Sequence, residues 1–337
     1  MNKPIKTGVL SFGLSGKIFH APFLAEHSGF EFYGIVERSK NEAQHIYPNV
    51  IRFESVEALL ANTEIELVVV NTPNYTHFEF AMMALKAQKH VLVEKPFTVT
   101  SAEAQQLFEE AKKQQRYVLP YQNRRYDSDF LSLVQVLQSG KLGNLVEVHM
   151  RFDRYRYAIG PKVGKETPLP GSGLLYDLGP HLLDSLLSLF GNPLKWTKTT
   201  GHFRPHTQVD DYVHIHLEYP NQLQVFVTTS LLVAAPLPSF IVHGTKGSYV
   251  KDRTNIQEEQ LLAGMSLNDP NYGIEGSENN GVLTLIDADG TKTVTEIIPV
   301  KSSYMHVFED VYQTIREAKP YPVTQAQILK QLEILEG

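Results

Sequence analysis

Two short apolar runs constrain the fold of this chain more than anything else in it. Leu67–Val70 and Val91–Val93 are unalternating, largely β-branched, and separated by a helical pattern from about Tyr75 to Gln88. Each run stops at a polar turn, Asn71-Thr72-Pro73-Asn74 after the first and Glu94-Lys95-Pro96 after the second. Strands buried on both faces of a parallel sheet read this way, and parallel neighbours need a crossover, usually a helix. The same order recurs around them. Thr7–Phe12 and Phe30–Val36 read as strands, Ser101–Arg116 as a helix opened by a Thr100/Glu103 capping box, and Tyr117–Tyr121 as the closing strand. An open, doubly wound parallel sheet over residues 1–123 follows.

Ligands of such sheets sit beyond the carboxyl ends of the strands, so the turns carry the chemistry. Ser11-Phe12-Gly13-Leu14-Ser15-Gly16 joins the first strand to a helix. It is the glycine-rich turn of a Rossmann dinucleotide site with serine at the first glycine position. Gly13 would let the backbone approach a pyrophosphate, Gly16 would let helix and strand pack closely, and the helix start offers free N–H groups to the anion. Pro22 should break or shorten that helix. Glu37 follows Gly16 by 21 positions, near the ~20 expected of an acid that accepts from the adenosine ribose. A carboxylate there favours NAD, whereas Arg38 and Ser39 could hold the 2′-phosphate of NADP; the choice stays open. Lys95 projects at the ligand end of its strand, pinned by Pro96.

After Asn123 the pattern changes. A helix over Asp127–Ser139 precedes long alternating strands at Leu145–Tyr155, Val209–Tyr219, Gln222–Val233, Ser239–Val250 and Val282–Val300. Val213, Ile215 and Leu217 share one face, while Tyr212, His214 and His216 share the other. A period of two implies a mainly antiparallel sheet with one buried and one more polar face. A short helix near Ile256–Met265 and helices around Tyr304–Ala318 and Thr324–Glu336 complete residues 124–337 as a second, α+β domain.

Composition narrows the classes of function. At 337 residues with 42% hydrophobic and 20% charged content, the chain can build two ordinary cores. A net charge of −6 gives no footprint for nucleic acid or an anionic membrane. Without cysteine there is no disulfide, thiolate nucleophile or cysteine zinc site. His214 and His216 have no third ligand near them in sequence, so no metal is expected. No apolar run approaches the ~20 residues of a bilayer span, and Met1–Phe12 lacks signal-peptide character; a cytoplasmic protein is expected.

The second half holds one further cluster, Gly171-Ser172-Gly173-Leu174-Leu175-Tyr176-Asp177-Leu178-Gly179-Pro180-His181. Pro180 suits the first position of a helix that Gly191 would stop. His181 would then lie in the first turn, where the positive helix end keeps a neutral base near pH 7. Asp177, four residues earlier, either orients the imidazole or caps the helix.

Taken together, Gly13-Leu14-Ser15-Gly16 with Phe19-His20-Ala21-Pro22, Thr72-Pro73-Asn74, Glu94-Lys95-Pro96, Asn123-Arg124-Arg125 and Asp177…His181 resemble the glucose–fructose oxidoreductase/inositol dehydrogenase (Gfo/Idh/MocA) family over nearly the whole chain. The look is most like its bacterial NADP-dependent scyllo-inositol dehydrogenase branch, through Asn123-Arg124-Arg125-Tyr126-Asp127 and Tyr176-Asp177-Leu178-Gly179. Ser11 replaces that pattern's usual first glycine, and Glu37 stands where the branch has a small residue. The resemblance implies an N-terminal Rossmann domain, a C-terminal domain whose open sheet joins a homodimer or homotetramer, and a polyol or sugar substrate.

It also implies hydride transfer between nicotinamide C4 and a secondary alcohol. His181 would then be the base, Asp177 its orienting partner, and Lys95 the cation facing the alkoxide. Gly13, Leu14, Ser15, Gly16, Glu37, Arg38, Thr72, Pro73, Asn74, Glu94, Lys95, Asn123 and Arg124 would face the cofactor. Arg154, Tyr155 and Arg156 would reach polyol hydroxyls or a carboxylate. The Lys95–Pro96 bond is expected to be cis. Two other classes share the resemblance: a glycoside hydrolase that uses NAD transiently, and a non-catalytic nucleotide sensor.

Overall fold

A computed structural model describes residues 3–37, 41–161 and 163–337. By its contacts the chain falls into two compact units, one of Met1–Asn123, Leu261–Pro270 and Tyr304–Leu332, the other of Arg124–Gln260, Asn271–Ser303 and Glu333–Gly337.

The first unit holds six parallel strands: β1 (Ile5–Val9), β2 (Phe30–Val36), β3 (Ile51–Phe53), β4 (Leu67–Val70), β5 (His90–Val93) and β6 (Val118–Pro120). Their order is β3-β2-β1-β4-β5-β6, the doubly wound arrangement. Its switch point lies beyond the ends of β1 and β4, where such sheets bind ligands. All of β4 and the last three residues of β5 are buried, as their unbroken apolar runs require. The Thr100/Glu103 capping box is present in full, with Glu103 N–H donating to Thr100 Oγ1 at 3.2 Å and Thr100 N–H to Glu103 Oε2 at 3.1 Å. After the glycine turn comes one turn of π-helix, Gly16–His20, and then the short Ala21–Glu26 helix with Pro22 in its first turn, where a missing N–H costs nothing.

Residues 261–270 and 304–332, expected with the second domain, group by their contacts with the first unit. Aromatic burial explains the second grouping. Phe308, on the Met305–Glu317 helix, stacks on Phe23 at 5.2 Å and meets Phe30 and Tyr121 edge-on at 6.2 Å each.

The second unit is built on eight strands: β7 (Leu145–Arg151), β8 (Lys195–Gly201), β9 (Tyr212–Glu218), β10 (Gln224–Ser230), β11 (Phe240–Gly244), β12 (Gly247–Lys251), β13 (Gly281–Ile286) and β14 (Lys292–Ile297). They run in the order β14-β13-β12-β11-β7-β10-β9-β8, antiparallel throughout except for β7 beside β10. Val213, Ile215 and Leu217 of β9 are buried and Tyr212, His214 and His216 half-buried. On that second face His149 and His216 stack on Phe226 at 5.0 and 4.7 Å. The runs expected as single strands over 239–250 and 282–300 are each a hairpin.

The Gly173–Phe190 helix lies against β9 and β10, with Leu174, Leu178, Leu182, Leu183 and Leu186 buried. It starts seven residues before Pro180, so the placement of His181 in a first turn is wrong; His181 sits two turns in. The reason lies outside the local sequence. Gly173 takes a φ of 85°, and the helix start is held from a distant segment. Asp210 accepts there, its carbonyl from Leu174 N–H at 3.0 Å and its carboxylate from Leu175 N–H at 2.6 Å. The helix dipole therefore gives no account of the state of His181.

Candidate active site

In the first unit the glycine turn, the short helix after it and the end of β5 meet around one half-buried carboxylate. Glu94 Oε1 accepts from Ser15 Oγ at 2.6 Å and from His20 Nε2 at 2.9 Å, and Oε2 accepts from the Lys95 N–H at 3.1 Å. Burial alone would raise the Glu94 pKa. The His20 hydrogen bond and its charge, the Ser15 hydroxyl and the Lys95 charge outweigh it and pull the group down to about 2. The hydroxyl of Ser15 is thereby engaged by the protein, leaving the backbone of the turn to face a cofactor.

That backbone fits a dinucleotide. A Cβ on Gly16 would stand 2.1 Å from the Ser11 carbonyl oxygen, so only glycine lets the turn lie this close to the end of β1. A Cβ on Gly13 would meet nothing nearer than Ser11 Oγ at 3.5 Å; packing within the chain does not demand glycine there, and the space it leaves is what a pyrophosphate needs. The Ser11 carbonyl accepts from Asn71 Nδ2 at 2.8 Å, while Asn71 Oδ1 is buried without a hydrogen-bond partner among the described residues. Ser11 Oγ accepts from Gly13 N–H at 3.3 Å, so serine at the first glycine position closes the turn rather than blocking it.

Two of the expected cofactor residues have other bonds. Glu37 is buried, and its carboxylate accepts from Glu42 N–H at 3.2 Å and Ala43 N–H at 3.0 Å, the opening of the Glu42–Ile46 helix. Arg124 gives its guanidinium to Asp127 (3.0 Å), Asn255 (3.0 Å) and Glu258 (2.9 Å). Arg38 and Ser39 lie outside the described residues. Asn123 is buried in the first unit and opens a short 3-10 turn.

Sequence reasoning missed His77. Its Nε2 lies 2.9 Å from the Thr72 carbonyl oxygen and its Nδ1 2.7 Å from that of Pro96. Burial disfavours the charged ring, so its single N–H donates to the nearer Pro96 carbonyl while the ring packs between the Thr72-Pro73-Asn74 turn and the Lys95-Pro96 turn, whose bond is cis. Nothing local marks such a histidine; its two partners lie 5 and 19 residues away.

In the second unit Asp177 and His181 lie four residues apart on one helix, the spacing that puts two side chains on a common face. His181 is buried. Asp177 Oδ1 accepts from Lys165 Nζ at 2.5 Å. Tyr155 and Arg156 are exposed, and Tyr155 bridges to Leu232.

Comparison with known proteins bears on the whole chain. Residues 5–122 match the model of the oxidoreductase family with an NAD-binding Rossmann fold, and residues 130–250 match the Gfo/Idh/MocA C-terminal domain. The chain belongs to the Gfo/Idh/MocA family. An uncharacterised oxidoreductase of Schizosaccharomyces pombe is 38% identical, the match covering 99% of this chain and 96% of that one. The NADP(+)-dependent scyllo-inositol 2-dehydrogenase IolW of Bacillus subtilis is 32% identical over 99% and 92%. The solved structure of the Bacillus subtilis oxidoreductase yvaA superposes with a TM-score of 0.94 at 31% identity, over 99% and 94%. This Gfo/Idh/MocA member is therefore an oxidoreductase that binds a nicotinamide dinucleotide, and no helix among the described residues is long and apolar enough to cross a membrane.

The Glu94 cluster predicts a pH dependence for this family member. Its folded pKa of about 2 lies below the unfolded 4.5. Glu94 therefore stabilises the fold above pH 4.5, and that contribution is lost as the pH falls through about 2. Glu94→Gln should unfold more readily than the wild type at neutral pH, with the gap narrowing between pH 4.5 and 2. Unfolding midpoints of both proteins across that window measure it; a gap that does not depend on pH would refute the assignment.

Proposed function

We propose that the enzyme moves a hydride between nicotinamide C4 and a secondary alcohol or carbonyl of a polyol or sugar. The observation that carries this reading is the pinning of Lys95 at the end of β5, with its own N–H held by Glu94 and the turn behind it held by His77. A cation on so fixed a strand end suits the charge that develops on a substrate oxygen. The polyol class is supported by the likeness to IolW. The bound nicotinamide supplies the hydride acceptor or donor. His181 takes the hydroxyl proton, or returns it in the reverse direction, and Asp177 orients the imidazole while Lys165 steadies Asp177. With its carboxylate committed to the Glu42–Ile46 helix, Glu37 functions as a helix cap, so both NAD and NADP belong in the assay.

The test is absorbance of the reduced nicotinamide with purified protein, crossing both cofactors against inositols, aldoses and sugar acids. A substrate-dependent rise is expected. Tight cofactor binding with no rise for any pair would overturn the reading, and release of free sugar without net reduction would replace it with a hydrolase.

A further inference from the structure

Three guanidinium groups of the second unit surround one buried ring. Arg124, Arg154 and Arg253 place their Cζ atoms 5.1, 5.0 and 4.4 Å from the centre of Phe152. Two of the three are answered by acids. Arg124 pairs with Asp127 and Glu258 at 3.0 and 2.9 Å, and Arg253 lies 3.9 Å from Asp129. Arg154 differs from both. Its backbone is bonded to Ser230 and Val233, but among the described residues no carboxylate or carbonyl accepts from its guanidinium. It is nonetheless half-buried.

A guanidinium is a planar fork of donors that matches a carboxylate with two parallel bonds, and keeping it charged away from water is costly without such a partner. Burial and the neighbouring charges of Arg156 and Arg124 work against its charge, and Asp177 and Glu258 favour it. Both of these acids already have a cation, Asp177 in Lys165 and Glu258 in Arg124. The cluster is therefore one acid short, and Asp177, whose field reaches Arg154, stands one helical turn before His181.

Resting on the dehydrogenase reading, we infer that the substrate is a sugar acid or polyol acid, and that Arg154 receives its carboxylate. Arg154 thus sets specificity and takes no part in proton or hydride transfer. Arg124 and Arg253 keep their own acids, and the Arg154 guanidinium stays over Phe152.

The experiment compares matched substrates that differ in one group: a neutral sugar or polyol, the corresponding aldonic or uronic acid, and the sugar phosphate. The kcat/KM of each is measured for the wild type, Arg154→Gln and Arg154→Lys. The wild type should prefer the acid, and Arg154→Gln should reduce the acid-to-neutral ratio on the order of 100-fold, mainly through KM, with the cofactor Kd unmoved. Arg154→Lys should recover part of it, since charge returns without the fork. A wild type that uses the neutral compound as well as the acid, or a ratio indifferent to Arg154→Gln, overturns the inference. So does a preference for the phosphate. Should no compound be turned over, the dehydrogenase reading has failed by itself. Equilibrium binding of the same acids to the cofactor-loaded wild type then decides: binding weakened on the order of 100-fold in Arg154→Gln upholds the inference, and its absence refutes it.

Discussion

Lys95→Ala should lower turnover by about 10²–10³-fold while leaving the cofactor Kd within a few-fold of wild type, the size seen when one preorganised group facing a developing oxyanion is removed. The expectation rests on how little freedom the lysine backbone has. Val93 ends a strand buried on both faces, the Lys95 N–H is bonded to a carboxylate that is itself held by Ser15 and His20, and the Pro96 carbonyl is bonded by His77. None of these bonds involves the Lys95 side chain, so alanine removes the cation and leaves the turn in place. Steady-state kinetics and cofactor titration measure the two quantities separately. Wild-type-like turnover would remove Lys95 from the chemistry; a collapse of cofactor affinity would make it a binding residue.

Phe308→Ala should cost about 3–5 kcal/mol, the usual penalty for emptying a buried phenylalanine site. Phe308 is fully buried, and its ring meets those of Phe23, Phe30, Tyr121 and His20. Four neighbouring rings cannot collapse into the void without giving up their mutual geometry. The loss should appear as a lower thermal midpoint, by roughly 10 °C for a unit of this size, and ligand binding to the first unit should weaken with it. A drop under about 1 kcal/mol would mean that the helix is held by other contacts.

The parts legible in the sequence are those whose cause is local. Leu67–Val70 and Val91–Val93 could be read as buried strands because the apolar run and its burial are the same residues. The Thr100 capping box lies within four positions, and the alternation along β9 spells out its two faces. β3 and β8 leave no such signal in the sequence. One has three residues, none fully buried, and the other is a polar edge strand with no buried residue. The glycine turn was legible as a motif, yet the commitment of Ser15 to Glu94, 79 residues away, was not. The sequence places His181 in a first turn and the structure two turns in, since Asp210, which holds the start of its helix, is distant in sequence. Spacing alone reads Glu37 as a ribose acid; its bonds to the backbone of Glu42 and Ala43 come from a helix start that the spacing does not show.

The split composition of the first unit has a consequence for how the protein is made. Phe23, Phe30 and Tyr121 leave the ribosome early, but Phe308, which covers them, follows roughly 190 residues after Tyr121, a wait on the order of 10–40 s at ordinary synthesis rates. Throughout that interval the nascent parallel sheet presents an uncovered aromatic face while the second unit is being laid down. The nucleotide-binding half begins first and is finished last, and a fragment cut after Asn123 would keep the same exposed face permanently.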